Sequence, residues 1–199
     1  GIKGSKVVIV DGLSSDGTLE IAKESGCRIF SDEGNGFAFA RKLGIEKSDT
    51  DFTLVLGPDD AMGPGSTGVL LSELQSSKDI AAVATRKHVQ DAKNFWERGM
   101  NSYYDSLPSG EVATVGNPTL YRSSVLRDHV LDDKFSANED TDWCLRIREA
   151  GLKVIRSSSA SAIEIETFRF NAVARRWLWY GAGDLAFIQK WISESPRKA

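Results

Sequence analysis

Hydrophobic positions in the first part of the chain follow two alternating patterns. The run KVVIVD, residues 6–11, is continuous and rich in β-branched residues, which is typical of a strand covered on both faces. The turn-forming stretch GLSSDGT follows, and LEIAKES, residues 19–25, has the apolar spacing of a short helix that ends at Gly26. A strand, a turn and a helix make up half of a parallel β-α unit.

The same alternation continues to about residue 90. Strand patterns occur in CRIF, FTLVLG and IAAVATR, and helical patterns occur in GNGFAFARKLGI and GVLLSELQSS. Repeated β-α units predict an α/β fold with an open, mostly parallel sheet and helices on both faces.

Beyond residue 90 the pattern changes. NFWERGMNSYYDS predicts an amphipathic helix, EVATVGNPTLYR one or two strands, and SSVLRDHVL a helix capped by Ser123 or Ser124. A further helix is predicted in ANEDTDWCLRIREAGLKVI, with Glu139, Asp140 and Asp142 at its start. Acids at a helix N-terminus complement the helix dipole, but capping accounts for only one or two of the three.

Asp59 and Asp60 stand directly after the strand pattern of Thr53 to Leu56. Aspartates are common in turns because they hydrogen-bond nearby backbone groups. Ligands of open α/β sheets, however, bind outside the carboxyl ends of the strands, and this pair falls at such an end. Mg²⁺ or Mn²⁺ usually takes one or two protein carboxylates and completes its coordination with water and phosphates. The pair alone leaves a turn and a metal site both open.

Composition narrows the function classes. A chain of 199 residues with 41% hydrophobic residues suits one domain, and 25 basic against 28 acidic residues argue against a broad nucleic-acid-binding surface. Cys27 and Cys144 are far apart and predict reduced thiols in a cytoplasmic protein, and two histidines without a Cys or His cluster argue against a zinc site. Neither an apolar run of transmembrane length nor a signal peptide is visible, so we expect a soluble or peripheral protein.

Four segments in this order resemble the family 2 glycosyltransferases of the GT-A fold. They are VVIVDGLSSDGTLEIAKE, GNGFAFARKLGI, FTLVLGPDDAM and NEDTDWCLRIREAGLKV, the last preceded by GNPTLYRSSVL. The resemblance covers about residues 6 to 155, and the ordered set is far more specific than any single motif.

The resemblance implies a role for several acids. Asp11 would contact the nucleotide base, Asp59 the ribose, and Asp60 a Mg²⁺ or Mn²⁺ ion at the donor diphosphate. Asp140 would be the catalytic base, because an inverting transfer needs one carboxylate to take the proton of the attacking hydroxyl. A basic residue at the position of Arg41 would meet the phosphates, and a solvated helix arginine is the equal alternative.

Glu139 and Trp143 flank Asp140 and are candidate acceptor contacts. Trp143 could form an apolar wall for a sugar face, and packing in the core is its alternative. The helix N-terminus favours the ionised form of Asp140, whereas the neighbouring acids oppose it, so the sequence leaves that balance open.

The chain departs from the family pattern in two places. Most relatives carry an acid where this chain has Gly57, although Asp59 and Asp60 are the pair that ribose and metal need. Relatives also begin with an additional strand and helix, whereas this chain starts at Gly1, a few residues before its first strand pattern. Loss of a central strand would expose strand edges, so we expect either pairing with a partner, including a homo-oligomer, or low stability.

The C-terminal residues 167–199 are predicted to form a helical extension of a GT-A domain at residues 1–166. Processive synthases use a Gln-x-x-Arg-Trp motif that caps the acceptor site. Arg176 and Trp177 match its end and are candidate acceptor contacts, but Val173 replaces the Gln, so processivity is not expected. Aromatic rings with interleaved arginines also suit a helix on an anionic membrane surface, and a plain packing helix is equally open.

Together these features predict an inverting, metal-dependent glycosyltransferase. It would move a sugar from a nucleoside diphosphate to a hydroxyl of a glycan or lipid-linked acceptor, at the cytoplasmic face of the membrane. Two alternatives remain: a catalytically silent nucleotide-sugar-binding module, and a nucleotidyltransferase of related architecture.

Overall fold

The computed structural model describes residues 4–135, 137–165 and 168–194. The strands in this part are β1 (Val8–Asp11), β2 (Arg28–Ser31), β3 (Phe52–Val55), β4 (Asp60–Met62), β5 (Ile80–Val89), β6 (Gly110–Glu111), β7 (Thr119–Arg122) and β8 (Lys153–Glu164). The helices are α1 (Thr18–Glu24), α2 (Phe37–Glu46), α3 (Ser66–Gln75), α4 (Phe95–Ser106), α5 (Ser123–Asp128), α6 (Glu139–Glu149) and α7 (Phe170–Glu194). The predicted alternation of strands and helices is present, with β4 and β8 as unpredicted additions.

The strands form two sheets. β1 and β2 pair in parallel, and a six-stranded sheet has the order β3-β7-β5-β8-β4, with β6 paired to β8. In this larger sheet β5 and β8 are parallel, whereas the β3-β7, β5-β7, β4-β8 and β6-β8 pairs are antiparallel. The α/β fold class is confirmed, but the expectation of a mostly parallel sheet is wrong. Alternation along the chain does not determine which strands become neighbours, and β7 returns between β3 and β5.

Local side chains explain where two helices begin. α4 starts with a capping box, in which the Glu97 N–H donates to Asn94 Oδ1 at 3.0 Å and the Asn94 N–H donates to Glu97 Oε2 at 3.1 Å. The predicted cap of α5 is wrong, since Arg122 stands at the N-cap and no side chain caps the helix. Ser123 instead lies inside the helix, with its hydroxyl 2.8 Å from that of Thr53 on β3.

The core lies on the larger sheet in two clusters. One joins α6 to β5, β7 and β8, and the buried Trp143, Cys144 and Ile147 belong to it. The other joins α3 to the sheet through Leu70 and Leu74. Helix α6 is therefore fixed by its apolar residues, which determines where its acidic first turn lies.

Helix α7 packs on the domain near the start of α6. Lys190 Nζ lies 2.8 Å from Asp142 Oδ1 and 3.0 Å from Asp132 Oδ2, and Trp191 Nε1 donates to Asp142 at 3.2 Å. A Cβ on Gly183 would lie 2.7 Å from the Cβ of Ala137, so the two backbones are in close contact. The predicted domain boundary at 166–167 lies outside the described residues. None of the described helices is long and apolar enough to cross a membrane.

Candidate active site

Asp59 and Asp60 lie beside the end of β8. Asp60 is the first residue of β4 and pairs with Glu164 of β8, and the carbonyl oxygen of Asp59 accepts a hydrogen bond from the Ile165 N–H at 2.8 Å. The side chain of Asp59 is 36% exposed, whereas that of Asp60 is 4% exposed. The two adjacent carboxylates therefore have different surroundings, as expected for neighbours on an extended turn.

Glu164 is a buried carboxylate at which four elements meet. Lys87 Nζ from β5 lies 3.3 Å from Glu164 Oε1, and both terminal nitrogens of Arg176 from α7 donate to the same oxygen at 3.1 Å. The Tyr104 hydroxyl from α4 donates to Glu164 Oε2. Glu164 thus fixes two cationic side chains at the edge of the sheet.

The same two cations reach the acidic pair. Lys87 Nζ lies 2.7 Å from Asp60 Oδ1, and Arg176 Nη2 lies 3.9 Å from Asp59 Oδ2. We call Asp59, Asp60, Lys87, Glu164 and Arg176 the β8 charge network. Its three carboxylates and two cations leave one negative charge in excess.

The pKa values of Asp60 and Tyr104 are both raised at this site. Burial raises the pKa of Asp60, Lys87 lowers it, and Glu164 and Asp59 raise it further, so that the pKa lies above its ordinary value. Asp60 Oδ1 lies within ion-pair distance of Lys87 Nζ, although no hydrogen bond to this buried oxygen is formed among the described residues. Burial, followed by the hydrogen bond to Glu164, raises the pKa of Tyr104, so this phenol stays protonated.

Gly57 leaves room for the Asp60 carboxylate. A Cβ at Gly57 would lie 2.7 Å from Asp60 Oδ2, closer than real Cβ contacts, and 3.5 Å from its Cγ. An acid at this position, which the family pattern would supply, could not coexist with Asp60 as it lies here.

The residues present can be tested against a divalent ion. Among the described residues there is no group of three or more His, Cys, Asp or Glu side chains that could hold a metal. Asp59 and Asp60 nevertheless supply two carboxylates, one of them carrying an incompletely compensated charge. Two carboxylates match what Mg²⁺ or Mn²⁺ takes from protein when a diphosphate provides further oxygens.

The second acidic group lies at the start of α6. Asp140 is 22% exposed at its side chain, and its Oδ1 accepts a hydrogen bond from the Thr141 N–H at 2.7 Å. Its Oδ2 lies 3.6 Å from Arg41 Nη1 of α2, and a Cβ on Gly116 would lie 3.7 Å from the same oxygen. Gly116 therefore leaves space beside the Asp140 carboxylate.

Arg41 and Glu139 form a buried ion pair between α2 and α6. Their side chains are 7% and 3% exposed, and Arg41 also lies over the Phe37 ring at 4.7 Å. Burial raises the pKa of Glu139, Arg41 lowers it, and Asp140 raises it. The expectation that Glu139 contacts an acceptor is corrected, since its carboxylate is buried against Arg41. Arg41 is not the solvated helix arginine of the alternative interpretation.

The prediction that Trp143 contacts an acceptor is also wrong. Its side chain is fully buried in the core, where it packs edge-on against Tyr121 at 5.0 Å and donates from Nε1 to the His129 carbonyl oxygen at 2.7 Å. An acceptor sugar cannot reach it, so the core-packing alternative is the right one.

Asp11 ends β1 on the smaller sheet and is buried. Its Oδ2 accepts a hydrogen bond from the Ser14 N–H at 3.1 Å, and hydrogen bonds from the Ser14 side chain and backbone hold the pKa of Asp11 below its ordinary value. The carboxylate is thus ionised and ordered at a strand end, where a base-contacting acid is expected. Asp16 instead organises the start of α1 through Thr18.

Comparisons with known proteins identify the family. The family model described as "Glycosyl transferase family 2" matches residues 3–138, more than half of the chain. The chain belongs to glycosyl transferase family 2. A comparison with curated proteins gives no significant match.

Solved structures similar to this family 2 chain confirm the GT-A fold. The S. aureus TarS fragment 1–349 in complex with UDP is 15% identical, with a TM-score of 0.61 over 79% of this chain and 51% of TarS. GalNAc-T7 with UDP, GalNAc and Mn²⁺ is 12% identical, with a TM-score of 0.65 over 82% of this chain and 38% of GalNAc-T7. The mannosyltransferase PcManGT from Pyrobaculum calidifontis, in complex with GDP-Man and Mn²⁺, is 14% identical, with a TM-score of 0.74 over 96% of this chain and 56% of PcManGT. This chain spans about half the length of the TarS fragment.

Tyr180 of α7 has a pKa that both acidic groups of this family 2 domain influence. Burial raises its pKa, Arg176 lowers it, and the negative charges of Asp140 and Glu164 raise it further. The phenol therefore lies within electrostatic range of the candidate base and of the β8 charge network. Trp177 packs against Tyr180 with ring centroids 5.9 Å apart, and it is 54% exposed.

The sequence did not reveal Lys87, Tyr104, Glu164 or Tyr180. These residues come from four elements, and nothing in their local pattern distinguishes them from ordinary surface residues. The one available signal was the polar end of the long strand β8, where a buried position carries an acid.

Proposed function

We propose that this family 2 domain transfers a sugar from a nucleoside-diphosphate sugar to a hydroxyl group, with inversion at the anomeric carbon. The observation that carries the proposal is the β8 charge network, in which Glu164 holds Lys87 and Arg176 beside the Asp59–Asp60 pair that follows β3. Together with Asp140 as a base at the start of α6, this network supports a site suited to a donor diphosphate.

The β8 charge network is suited to hold the donor. Lys87 and Arg176 are kept in place by Glu164 and provide the positive charge that a diphosphate requires. The half-exposed Asp59 is available to accept from a ribose hydroxyl. Asp11, ionised at the end of β1, is suited to accept from an N–H group of the base.

Asp60 would hold a Mg²⁺ or Mn²⁺ ion. When bound, such an ion supplies Lewis-acid stabilisation of the charge on the departing diphosphate. Asp60 Oδ1 is buried and already lies 2.7 Å from Lys87 Nζ, so a metal ion on this carboxylate would share the oxygen with that ammonium or displace it.

The chemical step needs one proton transfer. The acceptor oxygen attacks the anomeric carbon from the face opposite the diphosphate, the carbon–oxygen bond to the diphosphate breaks, and the hydroxyl proton passes to the Asp140 carboxylate. The Thr141 N–H orients Asp140 Oδ1, and the buried Arg41–Glu139 pair fixes the first turn of α6 beneath it.

The acceptor would approach along α7. Trp177 and Tyr180 present an aromatic surface next to Arg176, and apolar sugar faces pack on such rings. We propose a hydroxyl of a glycan or of a lipid-linked acceptor as the group that is glycosylated.

The test separates binding from turnover. With a donor panel of UDP- and GDP-sugars and Mn²⁺, Asp140→Asn is expected to lower turnover, including slow donor hydrolysis, by at least about 10²-fold, as loss of a general base does. Nucleotide affinity measured by calorimetry should remain that of the wild type. The matched control is Glu149→Gln, at the exposed end of the same helix, which should change neither quantity. Equal loss of affinity and turnover in Asp140→Asn would contradict the base assignment, whereas nucleotide binding without turnover in the wild type would indicate a silent module.

A further inference from the structure

The outward face of α7 is apolar along its described length. Exposed hydrophobic side chains recur on it at helical spacing, and we call them the outer stripe: Phe170, Leu178, Leu185, Ile188 and Ile192. Leu178 and Ile192 are 75% and 73% exposed. A run of this size costs free energy in water and marks a contact surface.

Charged side chains hold the opposite side of α7 to the domain. Arg176 pairs with Glu164, and Lys190 pairs with Asp142 and Asp132. Within residues 170–193, the exposed charged residues are Arg175 and Asp184, and Asp184 accepts from Asn138 of the domain at 2.7 Å. The ion pairs therefore orient the outer stripe away from the protein.

A second helix extends the apolar surface. Trp96 at the start of α4 packs against Phe170 with ring centroids 5.5 Å apart, and Phe95 packs against Trp96 at 5.3 Å. Phe95 is 70% exposed. The surface thus combines a long aliphatic stripe with aromatic rings from two helices.

Exposed basic residues accompany this surface although the chain is acidic overall. They are Lys93, Arg98, Arg169 and Arg175. Trp and Phe beside Arg and Lys are typical of helices that lie in the interface of anionic membranes. A second copy would instead pair along a narrow heptad seam, which does not need aromatic rings from α4.

We propose that the outer stripe, with the adjoining rings of Phe95 and Trp96, docks on an anionic lipid bilayer. The helix would lie flat in the interface, with its polar side and the domain facing the water. The helix is held to the domain by ion pairs before docking, so little ordering is required on contact.

This orientation defines the acceptor class, a step that rests on the proposed function. Arg176 projects from the opposite side of the same helix and reaches Asp59 at 3.9 Å. The candidate active site therefore lies about one helix diameter, roughly 10 Å, from the bilayer. The acceptor is then a hydroxyl carried by a membrane lipid or a lipid-linked glycan.

Flotation with vesicles tests the docking without any donor or acceptor. The wild type should float with vesicles of phosphatidylcholine and phosphatidylglycerol, and much less with phosphatidylcholine alone. The double variant Leu185→Gln/Ile192→Gln should lower the partition coefficient at least about tenfold, because two side chains no longer bury apolar area. Arg175→Gln should lower it about fivefold, the effect of one basic residue at an anionic surface.

The matched controls lie on α1. Ile21→Gln removes a hydrophobic side chain that is 66% exposed, and Lys23→Gln removes an exposed cation, yet both should leave flotation unchanged. Equal loss in the α1 variants, or absence of wild-type flotation, would overturn the proposal. So would a wild-type dimer that the double variant converts to a monomer with flotation unaffected, since the stripe would then bind a second copy.

The outcomes separate docking from catalysis. Flotation that depends on the outer stripe, together with failure to bind any nucleotide, would leave the docking surface in place and refute the proposed function. Nucleotide binding without flotation would refute the docking surface and leave the proposed function in place. Nucleotide affinity in the double variant should equal that of the wild type.

Discussion

Asp60 is buried between Lys87 and Glu164, whereas Asp59, next to it in the chain, is half exposed. A buried carboxylate with one ion-pair partner and two acidic neighbours has an unfavourable negative charge in the folded state. Burial of this charge lowers the stability of the metal-free fold, and a bound cation would compensate the charge. This gives a direct test in the metal-free protein.

The change Asp60→Asn should stabilise the metal-free fold at neutral pH. Because the folded state raises the pKa of Asp60, the free energy of unfolding of the wild type falls as the pH rises from the unfolded value of about 3.9 through the raised folded value. The variant lacks this decrease, so its advantage should be absent in acid, grow across that window and then stay constant. Urea denaturation between pH 4 and pH 8 (roughly the range that brackets such a carboxyl) measures it.

The control for this prediction is ligand binding. With Mn²⁺ and nucleotide present, the wild type should regain stability and Asp60→Asn should not, because only the former has the carboxylate. A variant less stable than the wild type at neutral pH without metal would refute the role given to burial.

Gly57 can be tested at the same scale. In Gly57→Ala the new Cβ would lie 2.7 Å from Asp60 Oδ2, so the carboxylate must move. We expect Mn²⁺-dependent nucleotide affinity to fall at least about tenfold, the effect of a displaced metal-ligand environment. Gly68→Ala, in open space on α3, should leave that affinity unchanged and add up to about 1 kcal/mol of stability. Tighter binding by Gly57→Ala in calorimetric titration would show that the observed position of Asp60 is not the functional one.

At the scale of elements, α6 and α7 depend on each other. Asp142 is fully buried and forms ion pairs with Arg146 of its own helix and with Lys190 of α7. It also accepts a hydrogen bond from Trp191 Nε1 of α7. Asp140, two residues earlier, is thereby fixed relative to Tyr180. The C-terminal helix in this way supports the candidate active site.

Lys190→Met should therefore weaken both stability and the docking of α7. Loss of a charged partner of the buried Asp142 is expected to cost about 1.5–3 kcal/mol in urea denaturation, and hydrogen exchange should accelerate in α7 before other helices. The matched control is Lys153→Met, whose ion pair with Asp79 is exposed and should contribute at most about 1 kcal/mol. Equal losses in the two variants, with α7 exchange unchanged, would show that this contact does not hold the helix.

The sequence predicted most elements but not their pairing. Apolar spacing identifies α1, α2 and α3, although of these α3 alone has fully buried leucines in a core cluster, and β-branched runs identify β1 and β5. It did not indicate that β7 lies antiparallel between β3 and β5, since neighbouring strands in space need not be neighbours in the chain. The acids at 59, 60 and 140 were found from their positions after a strand and at a helix start.

The remaining side chains of the site could not be found in this way. Lys87 and Glu164 lie far apart in the chain and meet because β8 pairs with β5, and Arg176 reaches Glu164 from α7. Trp143 and Glu139 were misplaced for a related reason, because the first turn of α6 has one face in the core and one at the surface. Sequence spacing alone did not decide which face is which.

At the scale of the whole molecule, the predicted donor contacts are divided between two sheets. Asp11 ends a strand of the β1-β2 pair, whereas Asp59 and Asp60 belong to the edge of the larger sheet. Among the described strands, β1 pairs with β2 alone and β3 with β7 alone. A nucleotide diphosphate that contacts its base at Asp11 and its phosphates at the β8 charge network must connect the two sheets.

The proposed donor site is tested most directly by calorimetric titration of the wild type with UDP, GDP and dTDP, each with and without Mn²⁺. One nucleotide should bind, its binding should depend on Mn²⁺, and Asp60→Asn should remove this dependence. Binding of none of the three in the presence of Mn²⁺, or binding that is indifferent to both the metal and Asp60, would contradict the proposed donor site.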